Sequence, residues 1–272
     1  MIGAIIGDIA GSRFEWKNIK SKRFDLFSDM CRPTDDSVMT LAVAKAILMS
    51  RPDRSDLSEN AVRCMQELGR AYPKSGFGGS FYHWLFEDDP KPYGSLGNGA
   101  AMRVSPAGYA ASSPEEARRL ARIVTEVSHD HPEGIKAAEA TAVAVFMART
   151  GSTMREIRDH IDRNYYPMDF TLDEIRPDYS FDVTCQGSVP QAFMAFFEST
   201  DFEDAIRNAI SIGGDSDTIA AICGGIAGAY YGVPSRIREQ ALTFLDARQK
   251  QILDEFEKKY PPRQEPLSPA GR

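Results

Sequence analysis

The stretch at residues 218–231, TIAAICGGIAGAYY, restricts most strongly what this chain can fold into. It is apolar on every side and rich in small residues: Ala220, Ala221, Gly224, Gly225, Ala227 and Gly228. Each interior glycine costs a helix up to about 1 kcal/mol relative to alanine. A helix of this composition forms only where neighbours pack closely against it, which predicts a central position. The apolar run at 219–233 is shorter than the roughly 18 residues a membrane span needs, so no membrane segment is expected.

The rest of the chain is read as helices around that centre. Val38, Leu41, Ala42 and Leu48 recur at three- and four-residue steps, predicting a helix over 37–49. The same pattern predicts helices over 59–72, 114–128, 133–149, 201–212 and 235–259. Ser113 followed by Pro114, Glu115 and Glu116 is a favourable helix start. Two-residue alternation is scarce, and 181–184 is the best strand candidate. With no βα rhythm the expected class is all-α. Long loops are expected at 12–33, 73–96 and 164–188, a length typical of lids and binding loops. Residues 1–260 read as one domain, and 261–272, with four prolines, as a disordered tail.

The chain of 272 residues has 42% hydrophobic and 26% charged residues, which excludes disordered and collagen-like classes. Its net charge of −7, without a Lys/Arg block, argues against nucleic acid as a partner. Cys31, Cys64, Cys185 and Cys223 are dispersed and read as free thiols, so a cytoplasmic location is expected. Residues 1–6 are too short for a signal-peptide core.

Two acidic helix starts carry the chemistry. Thr34-Asp35-Asp36 opens one helix, and Asp215-Ser216-Asp217-Thr218, behind Gly213-Gly214, opens another. Each is a group of hard oxygen donors on a constrained turn, suited to Mg²⁺, Mn²⁺ or Ca²⁺. Facing each other, they have the composition of a two-metal site. Ordinary capping is the competing reading, because Asp, Ser and Thr are preferred N-caps. Gly94-Ser95-Leu96-Gly97-Asn98-Gly99, with Arg103 behind it, reads as a phosphate-cradling loop or as a tight turn. His129 and His131 lack zinc-finger partners, so a contact to a ligand hydroxyl or a helix cap is the better reading. Near the start, Asp8 reads as structural and Glu15 as the edge of a loop able to close over a site.

Together, GAIIGDIAGSRFEW, PTDDSVMTLAVA, SLGNGAAMRVSP, SHDHPEGIKAAEATA and ISIGGDSDTIAAICGGIAGAYYG resemble the ADP-ribosylglycohydrolase family. The pieces occur in the family's order from residue 2 to about 234. The resemblance implies a single compact orthogonal helical bundle with long active-site loops and a site for two Mg²⁺ or Mn²⁺ ions. It implies Thr34, Asp35, Asp36, Asp215, Asp217 and Thr218 as metal ligands, and Glu15 and Asp36 as catalytic groups. Gly97, Asn98, Gly99 and Arg103 would face the substrate with Gly187, Ser188 and Gly214. His131 would contact ribose, with His129 as its rival. The implied reaction releases ADP-ribose from an ADP-ribosylated protein side chain or a small ADP-ribosyl derivative. A non-catalytic ADP-ribose binder and a metal-dependent nucleotide phosphohydrolase are the alternatives.

Overall fold

The computed structural model describes residues 1–262. Its helices are α1 (Ile2–Gly11), α2 (Asp35–Met49), α3 (Leu57–Ala71), α4 (Gly79–Phe86), α5 (Gly99–Met102), α6 (Ser105–Ala110), α7 (Pro114–Glu126) and α8 (Pro132–Thr150). They continue as α9 (Met154–Asn164), α10 (Leu172–Ile175), α11 (Cys185–Phe197), α12 (Phe202–Ser211), α13 (Ser216–Tyr231), α14 (Ser235–Leu242) and α15 (Ala247–Lys259). The tail expected to be disordered lies, from residue 263 on, outside the described residues.

The centre is an antiparallel pair, α1 against α13. Gly3, Gly7 and Gly11 recur every four residues and so share one face of α1. A Cβ built on Gly3 would sit 2.2 Å from Gly224 O, and one on Gly7 would sit 1.9 Å from Ala220 O. At Gly11 it would be 2.5 Å from Asp217 Cα. The two backbones therefore touch, which only glycine permits along this seam. Every residue of α1 is buried, as is all of α13 except Tyr231. The small-residue helix is thus central as expected, and the seam carries the end of α1 to the start of α13.

Around the pair, α8 is also buried over most of its length, while α3, α7 and α12 turn an apolar stripe inward. The N-terminus of α2 meets the α1 end of the seam: Thr34 N and Ser37 N both donate to Asp8 Oδ2, at 2.9 and 3.0 Å. The 12–34 loop is tied down rather than free. Asn18 grips Gly214 from both sides, donating Nδ2 to its carbonyl at 2.9 Å and accepting its N–H at 2.8 Å. Lys20 Nζ reaches Tyr179 O and Ile212 O, each at 2.5 Å.

Several elements differ from the sequence expectation. Residues 181–184 form no strand. Their region pairs only through an isolated antiparallel bridge between Gly97 and Thr184. Helices α5 and α11 begin directly after that bridge, so no ladder can extend. Helix α11 includes Pro190, whose missing N–H removes one intrahelical bond and disguises the helix. The 235–259 segment is two helices, because Asp246 and Gln249 form a capping box that starts α15 afresh. All four cysteines are free and buried. No helix among the described residues is long and apolar enough to cross a membrane.

Candidate active site

A cleft of about 420 Å³ opens where α1, α2 and α13 converge. Glu15, Asp35, Asp36, Asp215, Asp217 and Thr218 line one end, and Phe81, Tyr93 and His129 line the other, backed by Arg103. Gly97, Asn98 and Gly99 lie in the same wall.

At the acidic end, carboxylate oxygens of Asp8, Asp36 and Asp217 lie within 4.8 Å of one another, and so do those of Glu15, Asp215 and Asp217. Asp8 is fully buried and acts as a cap supplied by another helix. Thr34 Oγ1 donates to its Oδ1 at 2.6 Å, and the Ser37 hydroxyl donates to its Oδ2. Both Asp8 oxygens are thereby occupied in holding the first turn of α2. Asp36, on that turn, accepts the Thr218 hydroxyl on Oδ2 at 3.1 Å. Its Oδ1 is buried without a partner.

Asp215 stands at the N-cap of α13, yet its side chain makes no cap hydrogen bond. It turns away to accept Asn98 Nδ2 at 2.6 Å. Asn98 Nδ2 also contacts Ser188 Oγ at 3.0 Å, and Asn98 N donates to Val183 O at 2.8 Å. Capping explains Thr34, whose hydroxyl accepts Asp36 N at 3.3 Å, but not Asp215.

Crowding sets the electrostatics. Burial, followed by repulsion from Asp8, raises Asp36 well above the usual carboxylate range, and burial followed by Asp215 does the same to Asp217. Asp35 is pushed to about 8 by burial and then by Asp8. Glu15 is raised by burial and then by Asp215. An orphaned buried carboxylate oxygen among mutually repelling acids fits a hard divalent cation, which would satisfy the oxygen and relieve the repulsion.

The far end carries no acid. His129 is 5% exposed, with Nδ1 2.9 Å from Ser128 Oγ. Burial, then Arg103, holds its pKa well below the ordinary histidine value. Arg103 lies beneath it, fully buried, with Nη2 on Ser128 Oγ at 2.8 Å and its guanidinium carbon 5.3 Å from the Phe81 ring centre. At the mouth Trp16 and Phe181 stack with ring centres 5.0 Å apart.

A profile described as ADP-ribosylglycohydrolase matches residues 1–264. The chain belongs to the ADP-ribosylglycohydrolase family. It is 25% identical to the human ADP-ribosylhydrolase ARH3 over 309 residues, covering 86% of this chain and 84% of that one. It is equally 25% identical to the ADP-ribosyl-[dinitrogen reductase] glycohydrolase of Rhodospirillum rubrum over 252 residues, covering 85% and 84%. A solved ADP-ribosylglycohydrolase-related protein complex has the same fold, with a TM-score of 0.63, 23% identity and coverage of 94% and 93%.

In this ADP-ribosylglycohydrolase the sequence-derived residues separate into two groups. Glu15, Asp35, Asp36, Asp215, Asp217, Thr218, Gly97, Asn98 and Gly99 line the cleft, and Arg103 backs it beneath His129. Thr34, Gly187, Ser188 and Gly214 lie behind it. Gly214, at φ +74°, sits under Tyr179, where a Cβ would come within 2.3 Å of the ring. Gly187 O accepts the Tyr179 hydroxyl at 2.6 Å, and Ser188 backs Asn98. Arg103 offers no exposed charge to a phosphate, because it is wholly covered. Of the two rival histidines, His129 lines the cleft, whereas His131 caps α8 by accepting Glu133 N at 3.1 Å. The Pro132-Glu133 that follows His131 was the available signal for that cap. Asp8 and Tyr93 were not singled out as site residues, and their sequence neighbourhoods hold no sign of their partners.

Proposed function

We propose that this ADP-ribosylglycohydrolase hydrolyses the C1″ glycosidic bond of an ADP-ribosylated protein side chain or small ADP-ribosyl derivative, with two Mg²⁺ or Mn²⁺ ions as cofactors. The observation that carries the reading is the convergence of carboxylates from α1, α2 and α13 at one end of a cleft, with Asp36 Oδ1 buried and unpaired. Thr34, Asp35, Asp36, Asp215, Asp217 and Thr218 would hold the ions, and Asn98 and Asp8 would orient those ligands. When bound, the ions supply Lewis-acid chemistry and neutralise the clustered negative charge.

The protein's own groups account for the remaining steps. The distal ribose binds at the acidic end, the diphosphate lies along Gly97–Gly99, and the adenosine end meets Phe81, Tyr93 and His129. A glycosyl carbon departs through an oxocarbenium-like state, so one group must take a proton from water and another must protonate the leaving atom. Asp36 is the carboxylate placed to take the proton from the attacking water. Glu15, half-buried and raised in pKa, donates one to the leaving atom as the C1″ bond breaks. The new C1″–O bond completes free ADP-ribose.

The test is ADP-ribose release from defined arginine-linked, serine-linked and small-molecule ADP-ribosyl substrates, with Asp217→Ala as control. Metal-dependent release from one class, lost in the variant, is expected. ADP-ribose binding without release, or phosphate release from nucleotides instead, would overturn the proposal.

A further inference from the structure

We propose that Arg103 and Ser128 form a buried relay that fixes the tautomer of His129, so that the ring presents a permanent Nε2–H donor to the cleft. The directions of the hydrogen bonds decide the tautomer. A guanidinium only donates, so Ser128 Oγ accepts from Arg103 Nη2 at 2.8 Å. The Ser128 proton is then free to be donated, and His129 Nδ1 lies 2.9 Å away. Arg103 Nη2 is also 3.4 Å from Nδ1. A proton on Nδ1 would face the guanidinium N–H, so Nδ1 carries the lone pair and Nε2 carries the proton.

The ring is aimed as well as protonated. A Cβ added to Gly99 would lie 3.2 Å from His129 Nε2, and one added to Gly97 would lie 3.8 Å away, so Nε2 faces that glycine wall of the cleft. Phe81 and Tyr93 flank the ring, with centres 5.9 and 5.6 Å from it. The imidazole also stays neutral: burial and the adjoining Arg103 both disfavour a second proton.

Arg103 is costly where it stands. Its Nε and Nη1 are buried without partners, and it makes no ion pair among the described residues. Leucine or methionine would fill the same space without burying a charge. The return for that cost is orientation. Arg103 is a positioning residue acting through Ser128, and it does not itself reach the ligand. The ligand side of this inference rests on the reading of the cleft as an ADP-ribose site, while the tautomer itself does not.

The experiment is nitrogen-detected NMR of histidine-labelled protein without ligand. The chain has four histidines, and the His129 signal is assigned by its disappearance in His129→Gln. We expect an unprotonated Nδ1 and a protonated Nε2, unchanged from about pH 5.5 to about pH 8. Ser128→Ala should mix or reverse the tautomers, and Ser128→Thr, which keeps the hydroxyl, should restore them. In calorimetry Ser128→Ala should bind ADP-ribose about 10-fold more weakly than Ser128→Thr, the lower end of what losing an orienting partner costs a metal-bound histidine. A proton on Nδ1 in the unsubstituted protein overturns the relay, as does a tautomer indifferent to Ser128→Ala. The unsubstituted spectrum decides the tautomer even if a variant fails to fold. The expected tautomer without ADP-ribose binding by the unsubstituted protein would uphold the relay and overturn the functional reading.

Discussion

Replacing Gly7 by alanine puts a methyl group 1.9 Å from Ala220 O, 2.3 Å from Ala220 C and 2.8 Å from Ala221 N. All three are backbone atoms, so no side chain can swing aside. Ordinary contact begins at 3.4 Å, so α1 and α13 must part by about 1.5 Å. Overpacking costs typically 1–3 kcal/mol, and a collision with rigid backbone belongs at or above about 3 kcal/mol. Alanine returns up to about 1 kcal/mol through its better helix propensity, so the clash wins by about 2–3 kcal/mol. With an unfolding entropy of about 2.1 cal/mol/K per residue, that lowers Tm by about 4–5 °C. The same parting moves Asp8, and with it the first turn of α2, away from Asp217. Mn²⁺ affinity should therefore fall about 10-fold or more, in line with disturbed metal-orienting shells. The assay is differential scanning calorimetry with Mn²⁺ titration, and Gly79→Ala is the control because its Cβ would meet nothing within 4 Å. A Gly7→Ala protein as stable as the control, with unchanged Mn²⁺ affinity, would refute the backbone-to-backbone seam as the device that assembles the site.

Three further outcomes follow from the same geometry. Without metal, Asp8, Asp36, Asp215 and Asp217 are raised and Asp35 sits near 8, all above their unfolded values. The folded chain then binds more protons than the unfolded one, so metal-free Tm should fall as pH rises from about 4 to about 8, and the stabilisation by Mg²⁺ should widen. A metal-free Tm that is flat or rising across that window contradicts this sign. Asn98→Ala removes the donor on Asp215, and loss of a hydrogen bond to a charged group at about 1.5–3 kcal/mol should weaken metal binding about 10- to 100-fold, read by calorimetry. His131→Ala should cost about 0.5–2 kcal/mol of stability as a lost cap and leave KM unchanged, whereas His129→Ala should raise KM; the reverse pattern would exchange their roles.

The sequence shows the site's acids more readily than the scaffold that holds them. Helix α13 was legible because its small residues make sense only in a crowded centre. Its partner α1 was not, because a stretch that is apolar on every side has no periodicity, and only the spacing of Gly3, Gly7 and Gly11 hinted at the seam. Helix α11 was hidden by Gly187 and Pro190, and the bridge at Thr184 has no local signature. The acidic starts of α2 and α13 were visible as clusters, with capping and metal binding left open between them. What separates the two is that Asp215 turns from its own helix to Asn98, 117 positions away in sequence. Asp8 is the same case: a lone acid in an apolar run, explained only when α2 is placed against it. His129 and His131 are two residues apart, and only the path of the chain into α8 decides which of them faces the cleft.

Metal-dependent cleavage should depend on the carboxylates gathered where α1, α2 and α13 meet. The most direct measurement is ADP-ribose release from the linkage the protein accepts, followed as Mg²⁺ or Mn²⁺ is returned to metal-stripped protein, with bound metal counted in the same samples. Release should rise with occupancy to two ions per chain, and Asp36→Asn and Asp217→Asn should lose both release and tight metal binding. Undiminished release in excess chelator, or full activity in both variants, would contradict that dependence.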